Sequence, residues 1–404
     1  LLKDPIVLLI PVFSAVVGWA TNVIAVKMMF APLEFIGVRP FLGWQGIIPA
    51  NAKSLARKST EIITEKLINL RDLFENFDPA QFAGENLNHA LDELTDEIIG
   101  EIGGTHAAPG TWETMPEPVK QQVRGMLRAE IQQVATDILE EFGDNIEDIL
   151  DLKRAVLEAV DRDRKIIGDM FEQTGAEEFS FIKRSGAYFG LMFGLFQLGA
   201  WIAYPRWWIL PFFGFFVGYA TNWLALKLIF EPAEPVKVGP FTFHGLFHKR
   251  QHEVAESFAK LVSTDVLNAE NLVLVMTTGE AGDRLYGIVE KHIGAMLDKY
   301  SKNPMTAAMV PADKWPEIRA EIFGRLRQDM PKPGGFLHVF TARAIDVYGE
   351  LFDRMTALDS RSFEGILRPA FQKDEWKLII AGAALGFGAG VLQVLYVFGD
   401  MLTA

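Results

Sequence analysis

Four stretches of this chain stay apolar for the length of a bilayer crossing, and no other feature restricts its folding as much. Ile6 to Phe30 carries one charge, Lys27; Ser185 to Tyr204 carries none; Trp208 to Phe230 carries only Lys227; and Leu378 to Phe398 carries none. About 20 residues at 1.5 Å each cross a hydrocarbon core of roughly 30 Å, and a helix that is apolar around its whole circumference has no face to offer to water. Four transmembrane helices are therefore predicted. Only Pro205, Arg206 and Trp207 with their flanks separate the second from the third, so these two form a tight hairpin, and Trp201, Tyr204, Trp207 and Trp208 are expected to form an interfacial aromatic belt. A hairpin returns the chain to the side it left. The two long insertions, each of roughly 150 residues, then face one compartment and both termini face the other. The predicted division is residues 1–30 for the first transmembrane helix, 31–184 for a helical extramembrane domain, 185–230 for the transmembrane hairpin, 231–377 for a second helical domain, and 378–404 for the fourth helix and tail.

The insertions carry nearly all the charge of a chain that is 50% apolar and has a net charge of −13. Their apolar residues recur with a period near 3.6. Leu55, Ile62, Ile63, Leu67, Leu70 and Phe74 fall on one helical face, and Ile146, Ile149, Leu150, Val156, Leu157, Val160 and Ile167 fall on another. Strand-like alternation is nearly absent, so an all-α chain is expected. Gly103-Gly104, Ala107-Ala108-Pro109-Gly110 and Pro331-Lys332-Pro333-Gly334-Gly335 punctuate the helices, and Gly175 reads as a helix stop before acidic Glu177-Glu178 in the next first turn. An acidic pI near 5.1 opposes nucleic-acid binding, which needs basic groups for phosphates. No cysteine is present, which removes disulfides, thiolate zinc sites and cysteine nucleophiles.

The chain also repeats itself. Pro11 to Pro32 reads PVFSAVVGWATNVIAVKMMFAP, and 200 residues later Pro211 to Pro232 reads PFFGFFVGYATNWLALKLIFEP, with 11 of 22 positions identical. Gly186 to Gln197 matches Gly382 to Gln393 at an offset of 196. Each half is thus a span, an insertion and a span; with two crossings per half, the repeats are expected to be parallel, about a pseudo-two-fold along the membrane normal. Glycines recur every fourth residue, Gly186, Gly190 and Gly194 in one half and Gly382, Gly386 and Gly390 in the other, the spacing that lets two membrane helices approach backbone to backbone. Gly18 shares a helical face with Asn22 and Ala25, and Gly218 with Asn222 and Ala225. A buried amide needs partners, so Asn22 and Asn222 are expected to find them in another helix or in a wet cavity. Counted from Ile6, Asn22 lies about 24 Å along the helix and Lys27 about 31 Å, toward the domain-side interface, where the lysines can snorkel. Thr21, Asn22, Lys27, Thr221, Asn222 and Lys227 form the candidate polar motif. It is read first as packing and headgroup anchoring, with a functional site as the alternative.

The repeated GxATNxxAxKxxFxP resembles the box of the uncharacterised bacterial YheB/YjiN-like membrane family, domain of unknown function 445. The resemblance rests on Gly18, Thr21, Asn22, Ala25, Met29, Phe30 and Pro32, and on Gly218, Thr221, Asn222, Ala225, Phe230 and Pro232, with Gly46-Ile47-Ile48-Pro49 downstream. Met29 and Ile229 depart from the box, and His248-Lys249-Arg250 replaces Pro49-Ala50-Asn51. The resemblance implies an integral protein of the bacterial cytoplasmic membrane and implies no activity.

Chemistry has few footholds. No P-loop, GxSxG or dinucleotide fingerprint occurs, and the pairs Glu140-Glu141, Asp161-Asp163 and Glu177-Glu178 read as solvated helix faces. His244, His248 and His252 recur at i+4, the helical spacing of a metal pair, but the run His248-Lys249-Arg250-Gln251-His252 reads first as a headgroup-contacting helix start. No metal and no cofactor are assigned; His248 and His252 are the candidates should a metal bind. Arg39, Lys183, Arg184, Lys237, Arg368 and Lys373 flank the spans on the domain side, against Lys3 and Arg206 opposite, which favours cytoplasmic domains. A first residue that is Leu1 suggests a trimmed start. The expected function is a non-catalytic membrane scaffold or envelope-associated assembly protein, whose helical domains bind membrane lipids, a second copy or a protein partner. The alternative is a transporter or lipid-handling protein with Asn22, Lys27, Asn222 and Lys227 lining a pathway at the repeat interface.

Overall fold

The structure, a computed structural model, describes residues 5–38, 42–62, 67–75, 77–100, 112, 114–163, 165–368 and 375–398. Gly103-Gly104, Ala107 to Gly110, Leu1, Lys3, Arg39, Ile63 and Lys373, all used in the sequence reading, lie outside them. A short turn of helix over Pro5–Leu9 leads into α1 (Ile10–Phe30), then a hairpin of β1 (Ile36–Val38) and β2 (Leu42–Trp44). The first insertion continues as α2 (Ile47–Ile62), α3 (Leu70–Glu75), α4 (Pro79–Asn86), α5 (Asn88–Ile99), α6 (Glu117–Asp144), α7 (Ile146–Ile149), α8 (Leu152–Arg162) and α9 (Lys165–Thr174). Next come α10 (Ala176–Ala203), α11 (Ile209–Phe230) and a second hairpin of β3 (Val236–Val238) and β4 (Phe241–Phe243). The remaining helices are α12 (Leu246–Lys249), α13 (Gln251–Leu261), α14 (Ala269–Thr277), α15 (Gly279–Ser301), α16 (Pro304–Met309), α17 (Trp315–Asp329), α18 (Phe336–Arg343), α19 (Val347–Ala357), α20 (Ser360–Leu367) and α21 (Glu375–Gln393).

The chain is helical, as its periodicity predicts, with three local differences. Two small antiparallel hairpins follow α1 and α11; their strands are three residues long, too short for alternation to register. The face running from Leu55 to Phe74 does not belong to one helix, because Ile68 and Asn69 carry no helical structure before α3 begins. The face from Ile146 to Ile167 is likewise cut into α7, α8 and α9. Asp151 and Asp163 explain the cuts: each carboxylate accepts a backbone N–H just inside the following helix, from Arg154 at 2.9 Å and from Lys165 at 2.9 Å, and so restarts it. The buried residues stay on one side of each piece. Gly175 stops α9 and α10 opens with Glu177 and Glu178, as expected.

Among the described residues, four helices are long and apolar enough to cross a membrane: Ile6–Phe30, Ala176–Ala203, Ile209–Phe230 and Glu375–Val397. The second starts nine residues before the predicted span and the fourth three residues before.

By contact the chain divides into two compact units. The first comprises Leu1–Ile63, Ala159–Leu261 and Leu351–Ala404 and holds all four apolar helices. In it α1 lies along α10 and α11 along α21, while α10 meets α11 and α1 meets both α11 and α21. Large apolar side chains point outward from every one of them, such as Val16 and Trp19 of α1, Phe196 of α10, Phe212 and Trp223 of α11, and Ile380 and Phe387 of α21. So continuous an apolar exterior is stable against lipid and costly against water. Tyr204, Trp207 and Trp208 stand exposed at the turn of the helical hairpin, but Trp201 does not join that belt. It is fully buried with Val7, Ile10, Ile209 and Leu210, because it continues the inward stripe of Gly186, Gly190, Gly194 and Gln197 along α10.

The second unit comprises Thr64–Glu158 and Val262–Glu350, so it draws on both insertions, where the sequence reading gave each insertion a domain of its own. The reason lies in α6. Its buried face includes Leu127, Ile131, Ala135, Ile138, Leu139 and Phe142, more than the short α4 and α5 can cover, and α15 of the second insertion supplies the rest. Glu141 is correspondingly a paired, partly exposed carboxylate. Lys291 and His292 of α15 each reach it at 2.6 Å, and their hydrogen bonds, that of Lys291 first, hold its pKa below the usual range. At the centre sits Phe340, fully buried, with the rings of Phe142 at 4.9 Å, Phe74 at 5.8 Å, and Phe77 and Phe82 at 6.0 Å. Phe340→Ala should destabilise this unit by about 3–5 kcal/mol, read as an earlier loss of helical circular dichroism on heating; an unchanged melting curve would mean that the aromatic cluster is not its core.

Candidate functional site

The repeated box lies on the buried faces of α1 and α11, and its glycines and asparagines work as one device. A Cβ on Gly18 would overlap the carbonyl oxygen of Gly186, and one on Gly186 would overlap the carbonyl of Gly18. The two backbones are therefore in contact. The same hypothetical Cβ on Gly186 would lie 2.8 Å from Asn22 Nδ2, so the missing side chain also clears the space through which Asn22 donates to the carbonyl of Ile182 at 2.6 Å, one helical turn earlier. In the other half Gly218 meets Gly382, and Asn222 donates to Leu378 at 3.2 Å, again one turn before the glycine that makes room. Gly190 packs on Ser14, Gly194 on Pro11 and Ser14, Gly386 on Gly214, and Gly390 on Leu210 and Pro211.

Both amides are withdrawn from solvent, Asn22 with 0% and Asn222 with 2% of its surface accessible. Thr221 joins the two halves: its hydroxyl lies 2.8 Å from the carbonyl of Val217 and 3.3 Å from Asn22 Oδ1. With one proton for two acceptors, the nearer carbonyl holds it most of the time. Thr21 turns back to Gly18 at 3.1 Å. The lysines stand apart from the amides. Lys27 is exposed, and Lys227 lies 3.5 Å from Glu231 with its ammonium 5.1 Å above the Trp223 ring, so the six residues of the polar motif are not brought to one place.

The ends of α1 and α11 are built alike. The peptide bonds Ala31-Pro32 and Glu231-Pro232 are cis, and after each hairpin a glycine returns to the span end, Gly46 N–H donating to Pro32 O and Gly245 N–H to Pro232 O, both at 2.9 Å. A Cβ at either glycine would collide with the last turn of the span. There the halves diverge. Where the first has Pro49, the second has His248, whose side chain is fully buried. Its Nε2–H donates to the carbonyl of Phe230 at 3.1 Å and lies 3.4 Å from Glu364, while Nδ1 is buried without a partner. Glu364 is paired in turn with Arg368, whose guanidinium lies 5.5 Å from the Phe230 ring.

The three histidines do not line one helix. Arg250 interrupts it between α12 and α13; His244 precedes both and bonds Ala233 O at 3.1 Å, and His252 packs edge-on to Phe352. Among the described residues no group of three or more His, Asp or Glu has the geometry to hold a metal. Glu178, read as a solvated carboxylate, is buried: Arg250 reaches one of its oxygens at 2.8 Å and the other has no partner. These buried ionic groups escaped the sequence reading because their partners lie 72 and 116 residues away; an arginine or histidine in the turn after a span was the only signal.

With this geometry in view, comparison with known proteins adds a class. Regions of the chain are similar to proteins called UPF0754 membrane protein: 41% identity over 63 residues in Anoxybacillus flavithermus, covering 15% of this chain and 17% of that protein; 31% over 101 residues in Shouchella clausii, covering 24% and 26%; and 34% over 113 residues in Bacillus pumilus, covering 25% and 30%. The matched regions thus span less than a third of the length of these relatives. No family model matches the chain, and no solved structure does. Four apolar helices and relatives named as membrane proteins are consistent with a multi-pass bacterial membrane protein.

Two outcomes are expected from these contacts. Gly186→Leu forces α1 and α10 apart and should cost about 1–3 kcal/mol or more, measured as reduced resistance of the helix pair to denaturing detergent; wild-type resistance would contradict the backbone contact. Burial pushes the pKa of His248 below its ordinary value of 6.5, against the opposing pulls of Phe230 O and Glu364. A histidine depressed in the folded state leaves stability full above about pH 6.5 and erodes it as pH falls below that value, because the unfolded chain binds the proton first. Unfolding midpoints between pH 7.5 and 5 should fall for the wild type and fall less for His248→Gln.

Proposed function

We propose that the chain is a non-catalytic, multi-pass protein of the bacterial cytoplasmic membrane, a scaffold or assembly protein whose spans anchor it and whose helical domains bind its partners. The observation that carries this reading is the consumption of the box's polar groups in helix contacts. Asn22 and Asn222 are spent on the carbonyls of Ile182 and Leu378, and the lysines stand on the outside. A pathway for a solute needs polar groups that face an aqueous space, and these face backbone. The resemblance of the box to the YheB/YjiN-like family belongs to the same reading.

In this proposal the two halves are parallel repeats about an axis along the membrane normal. The matched pairs Gly18–Gly186 and Gly218–Gly382, and the matched turns through Pro32 and Pro232, support it. The helical unit lies outside the bilayer on the cytoplasmic side, favoured by Lys183, Arg184, Lys237 and Arg368 near the span ends. Its partners are membrane lipids and a second copy or another protein.

Native mass spectrometry of protein released gently from its own membranes tests this directly. A defined oligomer or a stoichiometric protein partner, retained in a variant carrying both Asn22→Leu and Asn222→Leu, is the expected result. A monomer without partner, or a solute flux in reconstituted vesicles that the double substitution abolishes, would favour the transporter instead.

A further inference from the structure

The helical unit holds a cavity of about 580 Å³, open to solvent on one side and walled by α5, α6, α15, α17 and α18. Apolar walls left against water carry a cost that a bound apolar ligand removes. Water does not suit the interior, where Leu91, Ile98, Ile131, Ile138, Ile293 and Met296 offer it no hydrogen bonds. The charged side chains of the lining have ionic partners within the unit. Asp329 pairs with Lys332, Glu97 with Arg325 at 2.9 Å, and Glu93 lies 3.8 Å from His89. With about 30 Å³ for each water-sized group, the volume accommodates on the order of twenty such groups, the size of one fatty acyl chain with a small head.

We propose that this cavity binds a single-chain lipid whose head carries no net charge, the acyl chain lying between α5, α6 and α15. The head-group assignment follows from charge. Each cation beside the cavity is already opposite a carboxylate, and the acidic groups outnumber the basic ones in a chain of net charge −13, so a bare carboxylate finds no counter-ion there. An uncharged glycerol or a zwitterionic head meets no such opposition, and a chain with four bilayer-length helices has acyl lipids at hand. The proposal does not depend on whether the spans act as a scaffold, because its site lies wholly in the other unit.

The test uses the full chain in nanodiscs and a monopalmitoylglycerol analogue with a diazirine at the end of its acyl chain, beside the matching palmitate analogue. After illumination, peptide mapping should locate adducts on residues lining the cavity, at least tenfold more with the glycerol ester than with the free acid. Ala135→Trp, which fills the cavity from α6, or Leu94→Trp, which narrows it from α5, should abolish these adducts and leave any on the spans unchanged. Adducts confined to α1, α10, α11 and α21, equal labelling by palmitate, or cavity labelling that survives in a folded tryptophan variant would each overturn the proposal. Wild-type mapping decides the matter even if neither variant folds. An oligomer measured by native mass spectrometry is indifferent to all of these outcomes, so this proposal and the scaffold reading fail separately.

Discussion

Everything in the membrane-facing unit depends on how closely the backbones of two helix pairs approach. Lipid tails are as apolar as leucine, so spans gain little by hiding apolar side chains from one another and must be held by contact area and by hydrogen bonds. Gly18 against Gly186 and Gly218 against Gly382 provide the first, and the amides of Asn22 and Asn222 the second. Each depends on the other. With an alanine at Gly186 or Gly382 the added methyl would occupy the place of the amide, and without the amide the close approach would have no polar contact to orient it.

From these pairs the rest of the first unit is organised outward. Each of α1 and α11 ends in a Pro turn that a glycine beyond the hairpin closes by hydrogen bonding. In the second half, that closing turn carries His248 into a buried position opposite Glu364 and a partly exposed Arg250 opposite the buried Glu178. Buried ionic groups of this kind contribute little net stability, since desolvation offsets their attraction, but removing one partner strands the other. The halves therefore share a chassis and differ in its fittings: the first closes with Pro49 and Asn51, the second with a charged cluster.

Much of this was legible in the sequence, for reasons that differ by element. The spans were readable because crossing a bilayer requires only length and the absence of charge, both properties of a contiguous segment. The pairing of glycine stripes was suggested by spacing alone, although which helix meets which was not. Helix breaks at Asp151 and Asp163 went unseen because apolar period continues across them, the cap being a single carboxylate on the solvent side. The mixing of the insertions was invisible for a deeper reason. Only the width of α6's buried face, relative to the helices available nearby, demands α15, and that width appears when the helix is built. Glu178 was misread for the same cause, since the burial of a carboxylate is decided by residues far along the chain, and the partners of Glu141 on α15 were hidden by the same distance.

The glycine ladder has a weakness that the asparagines remove. Rungs four residues apart look alike after a slide of one turn, so shape alone would accept α10 displaced along α1 by about 6 Å at 1.5 Å per residue. Asn22 meets a single carbonyl, that of Ile182, and acts as the index mark on an otherwise periodic scale. The first pair bears a second mark, Ser14 donating to Gln197 at 2.5 Å, whereas the second has Gly214 in place of the serine. Two copies of one hairpin ruler thus carry different graduations, and among the described residues the mark on the α11–α21 pair is the amide of Asn222 on Leu378.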